Sequence, residues 1–323
     1  MSLIKRIMAA LIAISMTAIT GCAGITDTGI SNETGAAATP VPIAVSEETV
    51  EVEGMDKPFD IFFLADSHIS LCDDRDGELT AKATDRSLLF KADGIDAWDR
   101  FDALIDAANA GDADLVVLGG DIIDSAMYAS IDHVKDKLAT LNKPYVYLMG
   151  NHDFEYGTEY FSGKAYDTYL PRLDELRDGT DYQIREYEDV IVFTADDRNN
   201  RIAPEVLEAF KETVHKNKPV VLALHVPIEP VTGSESLIRE SREFFGMQDD
   251  VIPVFFGEHG CTPDNTTREF IDMVLSDESP VALVLAGHIH FYHKEMLNER
   301  TLQIITGAAF TGEAVNIKLI PKD

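Results

Sequence analysis

Apolar runs of strand length recur from residue 59 onward, at 59–65, 115–119, 145–149, 190–195, 220–224, 281–286, 302–306 and 314–319. Between them, near 96–110, 128–141, 166–177, 203–217 and 264–276, the polar and apolar positions predict amphipathic helices. Several strand runs are unbroken Val, Ile and Leu, the pattern of strands covered on both faces by other elements. Strands alternating with helices predict an α/β layered fold. There is no internal repeat. Two connections, 69–95 and 227–262, are long and irregular, and loops of that length in a compact domain are usually functional or mobile.

The first 55 residues read differently. Lys5 and Arg6 precede an apolar stretch at 7–19. It is too short for a bilayer span of about 20 residues and suits the hydrophobic part of a secretion signal. The stretch ends in Ile19-Thr20-Gly21-Cys22, which resembles the lipobox of bacterial lipoproteins. That resemblance implies lipidation of Cys22 and a mature protein anchored to the bacterial cell membrane, facing outside the cytoplasm. A plain secretory signal at 1–22 is the alternative. Residues 23–55 are Thr, Ser, Gly, Ala, Pro and Glu with little periodicity and predict a flexible linker, the Glu-rich 47–53 being solvated chain. Residues 56–323 are then the folded domain. No second apolar run is long enough to span, so the membrane is met through the lipid alone.

Charge narrows the function. There are 27 Lys and Arg against 57 Asp and Glu, a net charge of −30. Nucleic-acid binding is not expected from such a chain, since gripping a polyanion needs basic patches. An anionic substrate must be drawn in by a local positive centre, which a bound metal supplies. The three cysteines are too few for a disulfide framework. Cys72 and Cys261 fall in the two long connections and either bridge them or stay free.

The chemistry gathers where the strands end. The successive strand runs close on Asp66-Ser67-His68, on Gly120-Asp121-Ile122-Ile123-Asp124, on Gly150-Asn151-His152-Asp153, on His225, and on Gly287-His288-Ile289-His290. Five of the nine histidines lie in these segments. Carboxyl ends of strands are where open α/β sheets place ligand sites. In Asp-x-His and His-x-His, residues two apart share one side of an extended chain and can face one point. The set Asp66, His68, Asp121, Asn151, His225, His288 and His290 mixes oxygen and nitrogen donors. Such a mixture suits Mn, Fe, Zn or Ni better than Ca or Mg. It is too large for one tetrahedral ion and fits two divalent ions sharing a carboxylate, with positions open for water and substrate. Each residue also has a plainer reading: turn chemistry for the aspartates and Asn151, a satisfied core histidine for His225, and a helix cap for Asp124. Asp153 reads as structural, and His259 and His293 as surface histidines.

In this order, DSH, GDIID, GNHD, a lone His and GHIH resemble the calcineurin-like metallophosphoesterase superfamily, over residues 58–320. The resemblance implies a layered α/β sandwich of two mixed β-sheets flanked by helices. It implies one metal on Asp66, His68, Asp121 and His290, and a second on Asp121, Asn151, His225 and His288, with Asp121 bridging. His152 is implied to lie beside the phosphoryl group, oriented by Asp124. The implied reaction is hydrolysis of a small-molecule phosphate ester, monoester or diester, by a metal-bridging hydroxide, in a monomer. GDIIDSA and GNHD depart from the phosphoprotein phosphatase pattern, and Asp124 stands where purple acid phosphatases carry Tyr. What remains is similar to a small single-domain phosphodiesterase branch. Two readings of another class stay beside it: a non-catalytic metal-binding lipoprotein, and a pseudoenzyme kept as an interaction module.

Overall fold

The computed structural model describes residues 40–77, 80–154, 167–248, 254–262 and 264–322. The lipobox with Cys22 and the linker up to residue 39 lie outside the described residues. The first part of the chain forms β1 Ala44–Val52, β2 Phe59–Leu64, α1 Thr80–Leu89, α2 Ala97–Ala110, β3 Leu115–Gly119, α3 Tyr128–Leu138, β4 Tyr145–Leu148 and α4 Asn151–Phe154. A 3₁₀ turn Leu170–Leu173 and α5 Asp174–Arg177 lead to β5 Tyr182–Glu186, β6 Ile191–Ala195, α6 Pro204–Val214 and β7 Val220–Ala223. Then come α7 Glu235–Phe245, α8 Asn265–Leu275, β8 Val281–Ala286, β9 His293–Met296, β10 Leu302–Ile305, a 3₁₀ turn Ala309–Thr311 and β11 Glu313–Pro321. Among the described residues no helix is long and apolar enough to cross a membrane.

Two mixed sheets result, of order β1-β11-β2-β3-β4 and β5-β6-β7-β8-β10-β9. In the first, β2, β3 and β4 run parallel and β11 antiparallel to β2. In the second, β6, β7, β8 and β10 run parallel and both edges are antiparallel. Period-two alternation along strands that are apolar throughout explains the layering. Ile61 and Phe63 of β2 and Leu115 and Val117 of β3 face a core shared with Val192, Val221 and Leu285 of the other sheet. Phe62, Leu64, Val116 and Leu118, one position out of phase, pack under Phe101, Leu104 and Val134 of α2 and α3. On the far side, Phe193 and Leu222 meet Phe210 of α6 and Phe270 of α8. Helix, sheet, sheet, helix is the order of layers, with apolar cores at all three contacts.

Three expectations are corrected. The linker does not reach residue 55: Ala44–Val52 is an edge strand paired in parallel along its whole length with β11, so the fold begins before residue 56. In its AVSEETVEV, Val50 and Val52 are buried while Glu47 and Glu51 take the water side. The two long connections are not irregular throughout, since α1 and α7 lie within them. His293 is not a surface residue: it is 9% exposed, opens β9, and lies between Glu240 and Glu295. Cys261 is a free thiol beside the Asn200 carbonyl, so it forms no bridge to Cys72.

Candidate metal centre

The carboxyl ends of β2, β3, β4, β7 and β8 meet at one edge of the sandwich, and the chain must turn there at once. It does so through left-handed backbone: φ is 58° at Asp66, 49° at His68, 52° at Asp121, 73° at His288 and 60° at His290. A non-glycine residue in that region costs about 1–2 kcal/mol. Half of the described non-glycine residues that adopt it are therefore at this one edge, and strain so concentrated marks a functional site. Backbone bonds stitch the turns together: Asp66 N–H donates to the Gly120 carbonyl at 3.0 Å, His68 N–H to the Asp121 carbonyl at 2.8 Å, and Gly287 N–H to the His225 carbonyl at 3.0 Å.

Asp153 holds two of these turns at once. Its buried carboxylate accepts from the N–H groups of Asp121, Ile123 and Gly150 and from the Tyr147 hydroxyl, at 2.6–3.0 Å. The structural role expected for it is thereby explained. Burial, then the charge of Asp121, push its carboxyl above the usual range. The turns also need glycine. At Gly120, with φ 87°, a Cβ would come within 2.7 Å of both His225 Nδ1 and Gly150 N, and at Gly150 a Cβ would land on Asp121 Oδ1.

All seven donor residues converge. Asp66, His68 and His290 form one group and Asp121, His225 and His288 a second, each with donor atoms within 4.8 Å of one another. His68 Nε2 and His290 Nε2 are 3.0 Å apart, and His290 Nε2 is 3.3 Å from Asp66 Oδ1. His225 Nε2 is 3.1 Å from Asp121 Oδ2, and the Asn151 carboxamide oxygen is 3.1 Å from His288 Nδ1. Asp121 also joins a third group with His68 and His152, so it faces both halves of the cluster.

The electrostatics fit cations. Asp66 and Asp121 are buried carboxylates, and their charges outweigh burial to lift His225 well above its ordinary value. The His225 ring donates from Nδ1 to the Gly119 carbonyl at 2.9 Å, which turns Nε2 inward, buried and without a hydrogen-bond partner. An unpartnered nitrogen facing two carboxylates fits a metal ligand whose ion takes the place of the proton. Burial pushes His68 down to about 4 and His288 down to about 3, which keeps both rings neutral with lone pairs to offer.

Beside the cluster, His152 Nδ1 is 2.7 Å from Asp124 Oδ1, so the expected pairing is present. Asp121 and Asp124 raise the His152 ring against the effect of burial. Its side chain is 16% exposed and that of His290 10%, whereas those of His68, His225, Asp66 and Asp124 are closed to solvent. The approach from water thus passes His152 and His290. Two residues at the site are not legible in any motif. Arg86 of α1 donates to Asp124 Oδ2 at 2.5 Å and to Oδ1 at 2.7 Å. Asp197, fully buried, accepts from His225 N–H at 3.1 Å and Val226 N–H at 2.7 Å. An arginine in TDRSLLF carries no signal for such a contact, and Asp197 shows only as an aspartate following a strand. His259 matches the surface reading, with a side chain 56% exposed and paired to Glu229.

The sequence profile of the Calcineurin-like phosphoesterase family matches residues 59–292, which takes in every segment of the cluster. The 3',5'-cyclic adenosine monophosphate phosphodiesterase CpdA of Escherichia coli (strain K12) is 31% identical over 64 residues, 19% of this chain. The match spans only 23% of that relative's length. Among solved structures, a dimetal phosphatase from Danio rerio is 14% identical with a TM-score of 0.48, covering 78% of this chain and 88% of its own. A purple acid phosphatase from yellow lupin seeds is 13% identical with a TM-score of 0.48, covering 81% of this chain and 45% of its own.

Proposed function

We propose that this chain, which belongs to the calcineurin-like phosphoesterase family, hydrolyses small-molecule phosphate esters with two divalent metal ions. The observation that carries the proposal is the pair of donor groups, Asp66/His68/His290 and Asp121/His225/His288, lying side by side with Asp121 facing both. Asp66, His68, Asp121 and His290 would hold one ion, and Asp121, Asn151, His225 and His288 the other. When bound, the ions supply Lewis acidity that makes water nucleophilic near neutral pH and neutralises phosphoryl oxygens. The mixed oxygen and nitrogen donors suit Mn, Fe, Zn or Ni.

The remaining steps belong to the chain. Asp124 fixes the His152 ring through Nδ1, so that Nε2 is the position from which a proton reaches the leaving oxygen. Asp121 and Asp124 raise the His152 ring against burial, the direction that favours a proton donor. Its partial exposure puts it on the path the ester must take. The local likeness to a cyclic-nucleotide phosphodiesterase supports a diester as substrate. We further place the protein on the outer side of the bacterial membrane, anchored through Cys22, on the lipobox sequence alone.

The test is turnover of bis-p-nitrophenyl phosphate beside p-nitrophenyl phosphate after refilling with Mn²⁺. Diester cleavage dominant over monoester cleavage supports the phosphodiesterase form. Dominant monoester cleavage replaces it with a phosphatase. Two bound metals with cleavage of neither overturns the proposal for simple esters and leaves a binding module.

A further inference from the structure

Arg86 comes from α1, in a connection where no motif places a functional residue, yet it reaches the centre of the candidate site. Its side chain is 13% exposed and grips both carboxylate oxygens of Asp124, Nε to Oδ2 at 2.5 Å and Nη2 to Oδ1 at 2.7 Å. That carboxylate has other duties. Oδ1 is 2.7 Å from His152 Nδ1 and 3.3 Å from His68 Nδ1, so three donors meet on one oxygen. Rotation about the Cβ–Cγ bond would break both imidazole contacts together, and a planar two-point clamp is what prevents it. The clamp is itself held: the guanidinium lies 4.9 Å over the Phe90 ring, and Phe90 stacks on His68 at 3.9 Å and 5°. Arg86 and Phe90 are four residues apart, hence on one face of the same turn of chain. A fully buried carboxylate also needs a positive charge beside it, and the Arg86 guanidinium provides one.

We propose that Arg86 is a positioning residue for the reaction, clamping Asp124 so that this one carboxylate fixes the ring planes of His152 and His68. The inference rests on the phosphoesterase reading for its kinetic half only, because the spectral half needs no substrate.

The experiment compares the full chain with Arg86→Ala and Arg86→Lys, using histidine-labelled NMR and steady-state kinetics on the ester the wild type cleaves. In Arg86→Ala the Nδ1 proton resonances of His152 and His68 shift or broaden, while that of His225, held by the Gly119 carbonyl, stays in place. Turnover falls about 10–100-fold with KM unchanged, the size expected when a partner behind a functional group is lost. Added guanidinium restores part of it, and Arg86→Lys, which presents a single point of contact, restores little. Unmoved His152 and His68 resonances overturn the inference, whether or not the wild type cleaves any ester. A rise in KM at constant kcat overturns it too, since Arg86 would then be a substrate contact. Full recovery in Arg86→Lys overturns the two-point clamp. If Arg86→Ala does not fold, Arg86→Gln carries the same readouts.

Discussion

The two sheets contribute unlike chemistry to the same edge. The first supplies the charge: Asp66 follows β2, Asp121 and Asp124 follow β3, and Asn151 and His152 follow β4. The second supplies the imidazoles of His225 after β7 and of His288 and His290 after β8, with Asp197 after β6 behind His225. Alone, the first wall is a set of buried carboxylates that repel one another, and the second brings ring nitrogens to face them. The two donor groups that carry the proposal, Asp66/His68/His290 and Asp121/His225/His288, each draw on both sheets. Ions there would join the sheets across a seam that no backbone ladder crosses, so binding and folding should be linked.

The largest effect expected from this contrast follows removal of the metals. Chelation should abolish ester hydrolysis and lower Tm, since each ion contributes about 2.7 kcal/mol when free metal is a hundredfold above Kd. Calorimetry with and without Mn²⁺ checks it, and an unchanged Tm would mean that the seam does not depend on ions. Next in size, His152→Ala should keep both metals while turnover falls ~10²–10⁴-fold. Metal analysis beside kinetics reads this, and full turnover in the variant would remove its proton-donor role.

The smallest effect lies outside the site, at His293. Burial lowers its ring, but Glu295 and Glu240 together raise it above the ordinary value of 6.5. A group raised on folding stabilises the protein fully below its unfolded value, and that contribution fades as pH rises through the folded value. Tm should therefore drop on raising pH from about 6 to about 8, more in the wild type than in His293→Gln. Equal slopes would show that His293 does not bind its proton more tightly when folded.

Legibility followed burial. The inner strands β2, β3, β6, β7, β8 and β10, apolar on both faces, were readable to within two residues. β1, β5 and β9, which carry no such run, are edge strands of their sheets, and their one solvated flank dilutes the apolar signal with Glu, Arg and Lys. The donor residues were visible because each follows an apolar strand run within a few positions, β4 being an edge strand that keeps such a run. Arg86 was not, because its role arises from where α1 docks and not from its neighbours in sequence. The left-handed backbone at five of the donors was equally hidden, since Asp and His carry no obligatory turn signature.

The central claim is that Asp121 is shared by both metals while His225 serves one. Its most direct test is the metal content of the full chain by elemental analysis after refilling with Mn²⁺, beside Asp121→Ala and His225→Ala. The account predicts two ions per wild-type chain, loss of both in Asp121→Ala, and one retained in His225→Ala. One ion per wild-type chain, or an Asp121→Ala variant that still holds one, would contradict it.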